Sequence, residues 1–147
     1  AVILVFSDVA NSAMEFAINH PDMVKALILN GGNLNPKGVK RTTQIPIEIG
    51  YKIAGRFASK SPNAKKNAEM LGLMVHEPNI ERSELSKITA PTLVICGSND
   101  IIKESHTKEI AESIPNARLS IIKGSHFIAN KKPTAFNNEV EDFLQNI

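Results

Sequence analysis

Ser7, Asp100 and His126 are residue types that could share one catalytic reaction, and each follows an apolar run within four positions. A serine, a histidine and an acid together perform nucleophilic acyl transfer, in which the imidazole takes the serine proton and the acid stabilises the imidazolium. Each residue alone has a simpler interpretation, because Ser7 and Asp100 could cap helices and His126 could be an ordinary loop histidine. The elements that position them decide between these interpretations.

Four short apolar runs rich in β-branched residues have the length of buried strands. They are Val2 to Phe6, Lys25 to Asn30, Thr92 to Cys96 and Arg118 to Ile122. Segments with helical spacing separate them, and this alternation favours a parallel sheet with helices packed against it. The serine, the acid and the histidine then lie at the carboxyl ends of three strands, where ligand sites of open α/β sheets collect.

Helices are predicted over Val9 to Asn19, Glu104 to Ile114 and Pro133 to Leu144, since prolines end the first two and suit the first turn of the last. The interval 33–88 contains no predicted strand and is too long for a simple connection. It is predicted to form a polar loop and several amphipathic helices. Four prolines are expected to break it: Pro36, Pro46, Pro62 and Pro78. We therefore expect one domain over 1–147, with a core of 1–32 and 89–147 and a helical cap-like insertion over 33–88.

The composition is that of an ordinary globular protein, with 42% apolar residues, 22% charged residues and a net charge of +2. No basic stripe or long apolar run is present, so neither a nucleic acid nor a membrane is expected as a partner. The single cysteine, Cys96, excludes an internal disulfide and fits a reducing compartment, which makes the cytoplasm the expected location. His20, His76 and His106 lack metal-ligand spacing, so we expect no metal and no cofactor.

The turn Val5-Phe6-Ser7-Asp8-Val9 resembles the nucleophile turn of the α/β-hydrolase family, which places a serine between a strand and a helix. The strand before Asp100 and the Gly-x-His loop ending at His126 resemble the positions of that family's acid and histidine, in the family's chain order. The resemblance implies that Ser7 is the nucleophile, His126 the base, Asp100 the acid and the Asp8 backbone N–H an oxyanion donor. The implied substrate is a small carboxylic ester or related acyl compound.

The sequence departs from the pattern of this family in two ways. Valine stands at both glycine positions of the usual Gly-x-Ser-x-Gly turn, and Val5 and Val9 are expected to clash or to relax the turn and move the hydroxyl. The four strands correspond to the second half of the family's eight, a truncated form of the fold. The loop that supplies the second oxyanion donor precedes them in the family, so weak or absent activity is expected.

A first strand without an outer neighbour would be an apolar sheet edge, which favours pairing with another copy. We therefore expect a homo-oligomer through 1–6 or through a bare sheet face. The alternative hypothesis is that the chain is a catalytically dead fragment, natural or engineered, whose role is to self-associate.

Overall fold

Four parallel strands form a single sheet in the computed structural model, which describes residues 1–147. The strands are β1 (Val2–Phe6), β2 (Ala26–Asn30), β3 (Thr92–Gly97) and β4 (Ala117–Ile122), and they lie in the order β1-β2-β3-β4. Every residue of β2 and β3 is buried, as expected of central strands covered on both faces. The predicted α/β class and parallel sheet are confirmed, and the strand ends differ from the prediction by at most one residue.

Six α-helices and three short 3₁₀ segments connect and cover the strands. The helices are α1 (Asp8–Asn19), α2 (Arg41–Phe57), α3 (Pro62–His76), α4 (Glu104–Ser113), α5 (Ile128–Lys131) and α6 (Pro133–Gln145). The 3₁₀ segments are Pro21–Met23, Pro36–Gly38 and Arg82–Lys87. No helix combines the length and apolar character that would let it cross a bilayer.

Alternate strand residues build a core on each face of the sheet. Leu27 and Leu29 join the larger core with α1, α4 and Arg82–Lys87, whereas Ile28 joins the smaller core with α5 and α6. This alternation follows from the two-residue period of a strand, and it fixes the register of β2 between its neighbours. Packing on both faces of the sheet therefore fixes the positions of the strand ends.

The region 33–88 contains two long helices, α2 and α3, that pack on each other and line a pocket at the carboxyl ends of the strands. The prediction that Pro46 breaks the insertion is wrong, because Pro46 lies inside α2. A proline there removes the hydrogen bond to the carbonyl of Thr42, four residues earlier. Both residues are exposed, so water can satisfy that carbonyl and the helix continues. Pro62, in contrast, opens α3, and the Ser61 hydroxyl caps that helix by accepting from the Ala64 N–H at 3.3 Å.

Strand β1 lies at one edge of the sheet and pairs only with β2. Its outward side chains are apolar and remain substantially exposed: Val2 at 52%, Leu4 at 50% and Phe6 at 37%. The unpaired backbone groups and these side chains form one continuous apolar edge, which we call the β1 edge.

Candidate active site

Ser7 occupies a sharp turn between β1 and α1 and has the backbone angles φ 57° and ψ −126°. It is the only residue other than glycine with a positive φ, a conformation that costs free energy and concentrates at functional sites. The Ser7 N–H donates to the Asn30 carbonyl at 2.8 Å, which ties the turn to β2. The Ser7 hydroxyl makes no cap hydrogen bond to α1, so the simple capping interpretation does not describe it.

The expectation that two valines would relax this turn is wrong. Val5 points toward the core beneath α1 and is partly buried there, while the Val9 side chain is 60% exposed. Neither branched side chain is forced into the turn, so the strained conformation of Ser7 persists.

Two loops bring Asp100 and His126 to the same strand ends. The Ser98 N–H donates to the Ile122 carbonyl at 2.8 Å, and the Asn99 N–H donates to the Gly124 carbonyl at 2.8 Å. Gly97 allows this approach, because a Cβ atom there would overlap the carbonyl oxygens of the facing loop. The loop that carries the acid and the loop that carries the histidine are thus joined along their backbones.

The structure brings the three predicted site residues into one line of contacts. The Asp100 Oδ1 lies 2.6 Å from the His126 Nδ1, and the His126 Nε2 lies 3.2 Å from the Ser7 Oγ. The Asp100 Oδ1 also accepts from the Ile102 N–H at 3.1 Å, which fixes the carboxylate. A carboxylate at Nδ1 keeps the ring proton on that nitrogen, so the lone pair of Nε2 faces the serine hydroxyl. The arrangement can move a proton from Ser7 to His126.

Two aromatic rings flank the His126 imidazole. The Phe6 ring centroid lies 4.8 Å from the imidazole centroid, and the Phe127 centroid lies 5.4 Å away in an edge-on arrangement. His126 itself is only 5% exposed. The ring therefore has little freedom to turn away from Ser7, and an imidazolium formed there would lie against two aromatic rings.

A pocket of about 410 Å³ opens beside Ser7, between the sheet end and the helices of the insertion. Asp8, the first residue of α1, also lines it, and the backbone N–H of a first helical residue has no acceptor within the helix. Further lining residues come from α1, α2, α3 and the loop after β3, among them Asn11, Gln44, Ile47, Leu73, Met74 and Ile102. The site thus combines a serine, a base, an acid, a free backbone donor and space for a small molecule.

Comparison with known families assigns the chain to one of them. The family model described as serine hydrolase (FSH1) matches residues 16–137, a range that contains Asp100 and His126 and begins after Ser7. The chain belongs to this serine hydrolase family. Its structural neighbours are α/β-hydrolases, which confirms the family resemblance read from the sequence.

Relatives of this serine hydrolase chain match almost all of it. A protein of Caulobacter sp. (strain K31) named "Putative carbamate hydrolase RutD" is 27% identical over 91% of the chain and 61% of its own length. A thermophilic esterase has a TM-score of 0.68 at 25% identity, over 99% of this chain and 66% of its own. The meta-cleavage product hydrolase CumD from Pseudomonas fluorescens IP01 has a TM-score of 0.74 at 17% identity, over 99% and 65%. The chain thus spans about three fifths of the curated relative and about two thirds of each of these two structures.

Gly31 is a residue of this serine hydrolase site that the sequence did not identify as such. The pair Gly31-Gly32 is a common mark of a tight turn, and Gly31 indeed has φ +71°. A Cβ atom on Gly31 would lie 2.6 Å from the His126 Cε1 and 2.9 Å from its Nδ1. The residue therefore makes room for the imidazole, a role that depends on a contact 95 positions away in the chain and leaves no local signal.

A buried pair of asparagines, Asn11 and Asn33, joins α1 to the start of the insertion. The Asn11 Nδ2 donates to the Asn33 Oδ1 at 2.9 Å, and the Asn33 N–H donates to the Asn11 Oδ1 at 2.8 Å. Both side chains are 6% exposed and both line the pocket. A polar residue among the apolar positions of α1 could have pointed to Asn11, because a buried polar side chain needs a hydrogen-bond partner.

The remaining histidines and the cysteine lie outside the line of contacts at Ser7. His20 packs on Phe16, and His76 packs on Tyr51. His106 is buried on α4, where its Nε2 accepts from the Leu34 N–H at 2.9 Å and burial lowers its pKa below 6.5. Cys96 is buried within β3, and burial raises its pKa to about 11. These environments make His106 a structural anchor of the insertion and Cys96 an unreactive thiol.

Proposed function

We propose that the chain hydrolyses carboxylic esters, with Ser7 as the nucleophile, His126 as the general base and Asp100 as the acid that holds the imidazole. The observation that carries this proposal is the line of contacts from Asp100 through His126 to Ser7, at 2.6 Å and 3.2 Å, with Ser7 held in a strained turn. A helix cap would require neither the strain nor the histidine.

The proposed reaction has two steps. First, the His126 Nε2 takes the hydroxyl proton while the Ser7 Oγ forms a bond to the ester carbonyl carbon; the proton then passes to the departing alcohol. Second, His126 takes a proton from water, whose oxygen attacks the acyl carbon, and then returns that proton to the Ser7 Oγ as the bond to the acyl carbon breaks and the acid leaves. The Asp100 carboxylate stabilises the imidazolium in both steps.

The Asp8 N–H is the proposed donor to the oxyanion, because it is the backbone donor next to the nucleophile. Where two such donors normally act, the loss of one slows turnover about a hundredfold to a thousandfold. The Asp8 N–H is therefore expected to contribute a factor of that order to the rate of hydrolysis.

The substrate is proposed to be a small ester bound under a cap formed by residues 33–88. Residues of α2 and α3, including Thr43, Ile47 and Leu73, line the same pocket as Ser7. One relative of comparable sequence is a thermophilic esterase, and another carries the name of a carbamate hydrolase. A carbamate carbonyl would pass through the same two steps.

Hydrolysis of p-nitrophenyl butyrate tests this function. The Ser7→Ala variant should lose all enzymatic rate above background, whereas Ser83→Ala should keep it, because Ser83 is exposed and away from the pocket. Equal rates for the parent chain and Ser7→Ala would contradict the proposal and support a catalytically inactive chain.

The β1 edge supports a second candidate function, self-association of the chain. Val2, Leu4 and Phe6 are apolar and exposed beside unpaired backbone groups, and such edges pair with other strands. We propose that the chain forms a homo-oligomer through this edge. We also propose that it is cytoplasmic, because a single free cysteine, Cys96, suits a reducing compartment. Sedimentation velocity at high protein concentration tests the assembly: an oligomer that Leu4→Lys dissociates supports it, and a monomer contradicts it.

A further inference from the structure

Helix α2 carries a row of apolar side chains on a face that no other element covers. Four side chains at intervals of four positions are between 42% and 56% exposed: Ile45, Ile49, Ile53 and Phe57. Residues at this spacing are neighbours on one face of a helix, and we call this face the α2 stripe. A different face of α2 packs on α3 and lines the pocket beside Ser7. The α2 stripe is therefore a second apolar surface that the fold does not use.

The connection between α2 and α3 is strongly basic. Five exposed cations lie within two helical turns of it: Lys52, Arg56, Lys60, Lys65 and Lys66. None of the five forms an ion pair. The segment 49–68 contains no aspartate or glutamate and has a net charge of +5, so the other residues of this +2 chain sum to −3. We call this end of the helix pair the basic tip.

The cations of the basic tip lie directly beside the α2 stripe. Lys52 follows Ile49 by three positions, and Arg56 follows Ile53 by three positions, so each pair shares one side of the helix. Exposed apolar side chains with adjacent lysines and arginines are typical of a helix that lies in the plane of an anionic bilayer. The apolar side chains then enter the acyl boundary, while the cations reach the lipid phosphates.

This mode of binding requires no apolar run that spans the bilayer. The sequence-based expectation that no membrane is a partner rested on the absence of such a run, and no helix of the chain could cross a bilayer. A helix that lies on the surface needs only its exposed face to be apolar. The α2 stripe and the basic tip together meet this requirement.

The charges and the side-chain types distinguish lipid from two other partners. A second copy docked through the same face would bring ten unpaired cations together, and like charges repel. A nucleic acid would attract the cations, but it binds through base stacking on aromatic faces, and three of the four stripe side chains are isoleucines. An anionic lipid surface complements both the apolar and the basic parts.

We propose that the α2 stripe and the basic tip form a docking surface for a bilayer that contains anionic lipid. The surface acts through side chains outside the line of contacts at Ser7, so the proposal does not depend on the activity of the chain.

Co-flotation with lipid vesicles tests this surface. The chain should float with vesicles of phosphatidylcholine that contain about one third phosphatidylserine, and it should stay in solution with phosphatidylcholine alone, because only the first attract the basic tip. Raising the salt from about 0.1 M to about 1 M shortens the screening length from about 10 Å to about 3 Å and should release most of the bound chain.

Two double variants test the basic and the apolar part separately. Lys52→Gln with Arg56→Gln should weaken binding to the anionic vesicles on the order of twentyfold, because each cation near such a surface strengthens binding about fivefold. Ile49→Gln with Ile53→Gln should weaken it about tenfold or more, since it removes apolar area that enters the bilayer. All four side chains are exposed, so these variants keep the fold.

Matched controls make the same changes away from α2 and α3. Lys131→Gln with Lys132→Gln removes two exposed cations, and Met23→Gln with Ile147→Gln removes two exposed apolar side chains. Both control variants should bind the anionic vesicles as the parent chain does.

Failure of the parent chain to bind anionic vesicles, or binding that neither α2 variant weakens, would overturn the proposal. Binding to duplex DNA without binding to vesicles would also overturn it and would assign the basic tip to a nucleic acid. An oligomer in lipid-free solution that the isoleucine variant dissociates would overturn it by assigning the α2 stripe to a second copy.

Discussion

Replacement of Gly31 with alanine is expected to displace the His126 imidazole and to reduce activity far more than stability. The new Cβ atom would lie 2.6 Å from the ring Cε1 and 2.9 Å from Nδ1, whereas carbon atoms in ordinary contact are about 3.5–4.0 Å apart. The ring must therefore move by about 1 Å to restore that spacing. Its Nε2 lies 3.2 Å from the Ser7 Oγ, so a shift of that size away from the serine breaks the hydrogen bond.

The surroundings of His126 leave no harmless direction for this movement. The imidazole is buried between Phe6 and Phe127, and its other nitrogen is held by Asp100 at 2.6 Å. A misplacement of about 1 Å at a reacting group costs on the order of a hundredfold in rate. The left-handed backbone of Gly31, at φ +71°, adds a stability cost of about 1–2 kcal/mol for alanine.

The assay measures kcat/KM on p-nitrophenyl butyrate and the free energy of unfolding in urea for the same samples. Gly55→Ala is the matched control, because a Cβ on Gly55 in α2 meets no atom within 4 Å. That control should keep its activity and gain up to about 1 kcal/mol of stability from helix propensity. A folded Gly31→Ala chain with kcat/KM within about threefold of the parent would refute this reasoning.

Three other predictions concern the acid, the thiol and a buried histidine. Asp100→Asn should lower kcat by about 10³- to 10⁴-fold in ester hydrolysis while the chain stays folded, because an amide no longer fixes the proton on Nδ1 of the imidazole; a loss below about tenfold would contradict the role of the carboxylate. Cys96, with a pKa of about 11, should react with Ellman's reagent only after unfolding in urea, since about one thiol in 10⁴ is ionised at pH 7; rapid reaction of the native chain would contradict its burial. The contribution of His106 to the unfolding free energy should be fully present above pH 6.5 and should be lost as the pH drops below it, by at most about 1.4 kcal/mol per pH unit. His106→Gln should lack this component, and parallel pH profiles of the two chains would contradict it.

The sign of the His106 effect follows from its surroundings. Burial lowers the pKa of His106 below its ordinary 6.5, with Lys103 adding to this effect and Glu109 opposing it. The unfolded chain therefore binds a proton more readily than the folded chain in the interval below pH 6.5. Protonation would also place a donor on Nε2 against the Leu34 N–H, which breaks the contact that anchors the insertion.

Much of the fold could be predicted because its central strands are covered on both faces. Strands β2 and β3 are unbroken apolar runs, so their ends were visible to within one residue. The helix α1 ends before Pro21 for a steric reason that is local to the sequence. These features depend on residues close together in the chain.

The errors and omissions arose where the surroundings in the folded chain, and not the neighbouring residues in the sequence, decide the outcome. Pro46 stays inside α2 because its surroundings are exposed, and Ser7 stays strained because Val9 points to solvent. The role of Gly31 depends on His126, which the chain brings back from another strand. The positions of Ser7, Asp100 and His126 could be proposed from their strand ends, but the distances that make them a reactive set required the folded chain.

Covalent labelling of Ser7 tests the central claim most directly. A fluorophosphonate is attacked only by a serine whose proton is taken by a neighbouring base, so intact-mass and peptide mapping should find one adduct, on Ser7. Ser7→Ala should show no adduct, and His126→Gln should react far more slowly at the same protein concentration. Labelling that is absent from the folded parent chain, or unchanged in Ser7→Ala, would contradict the account.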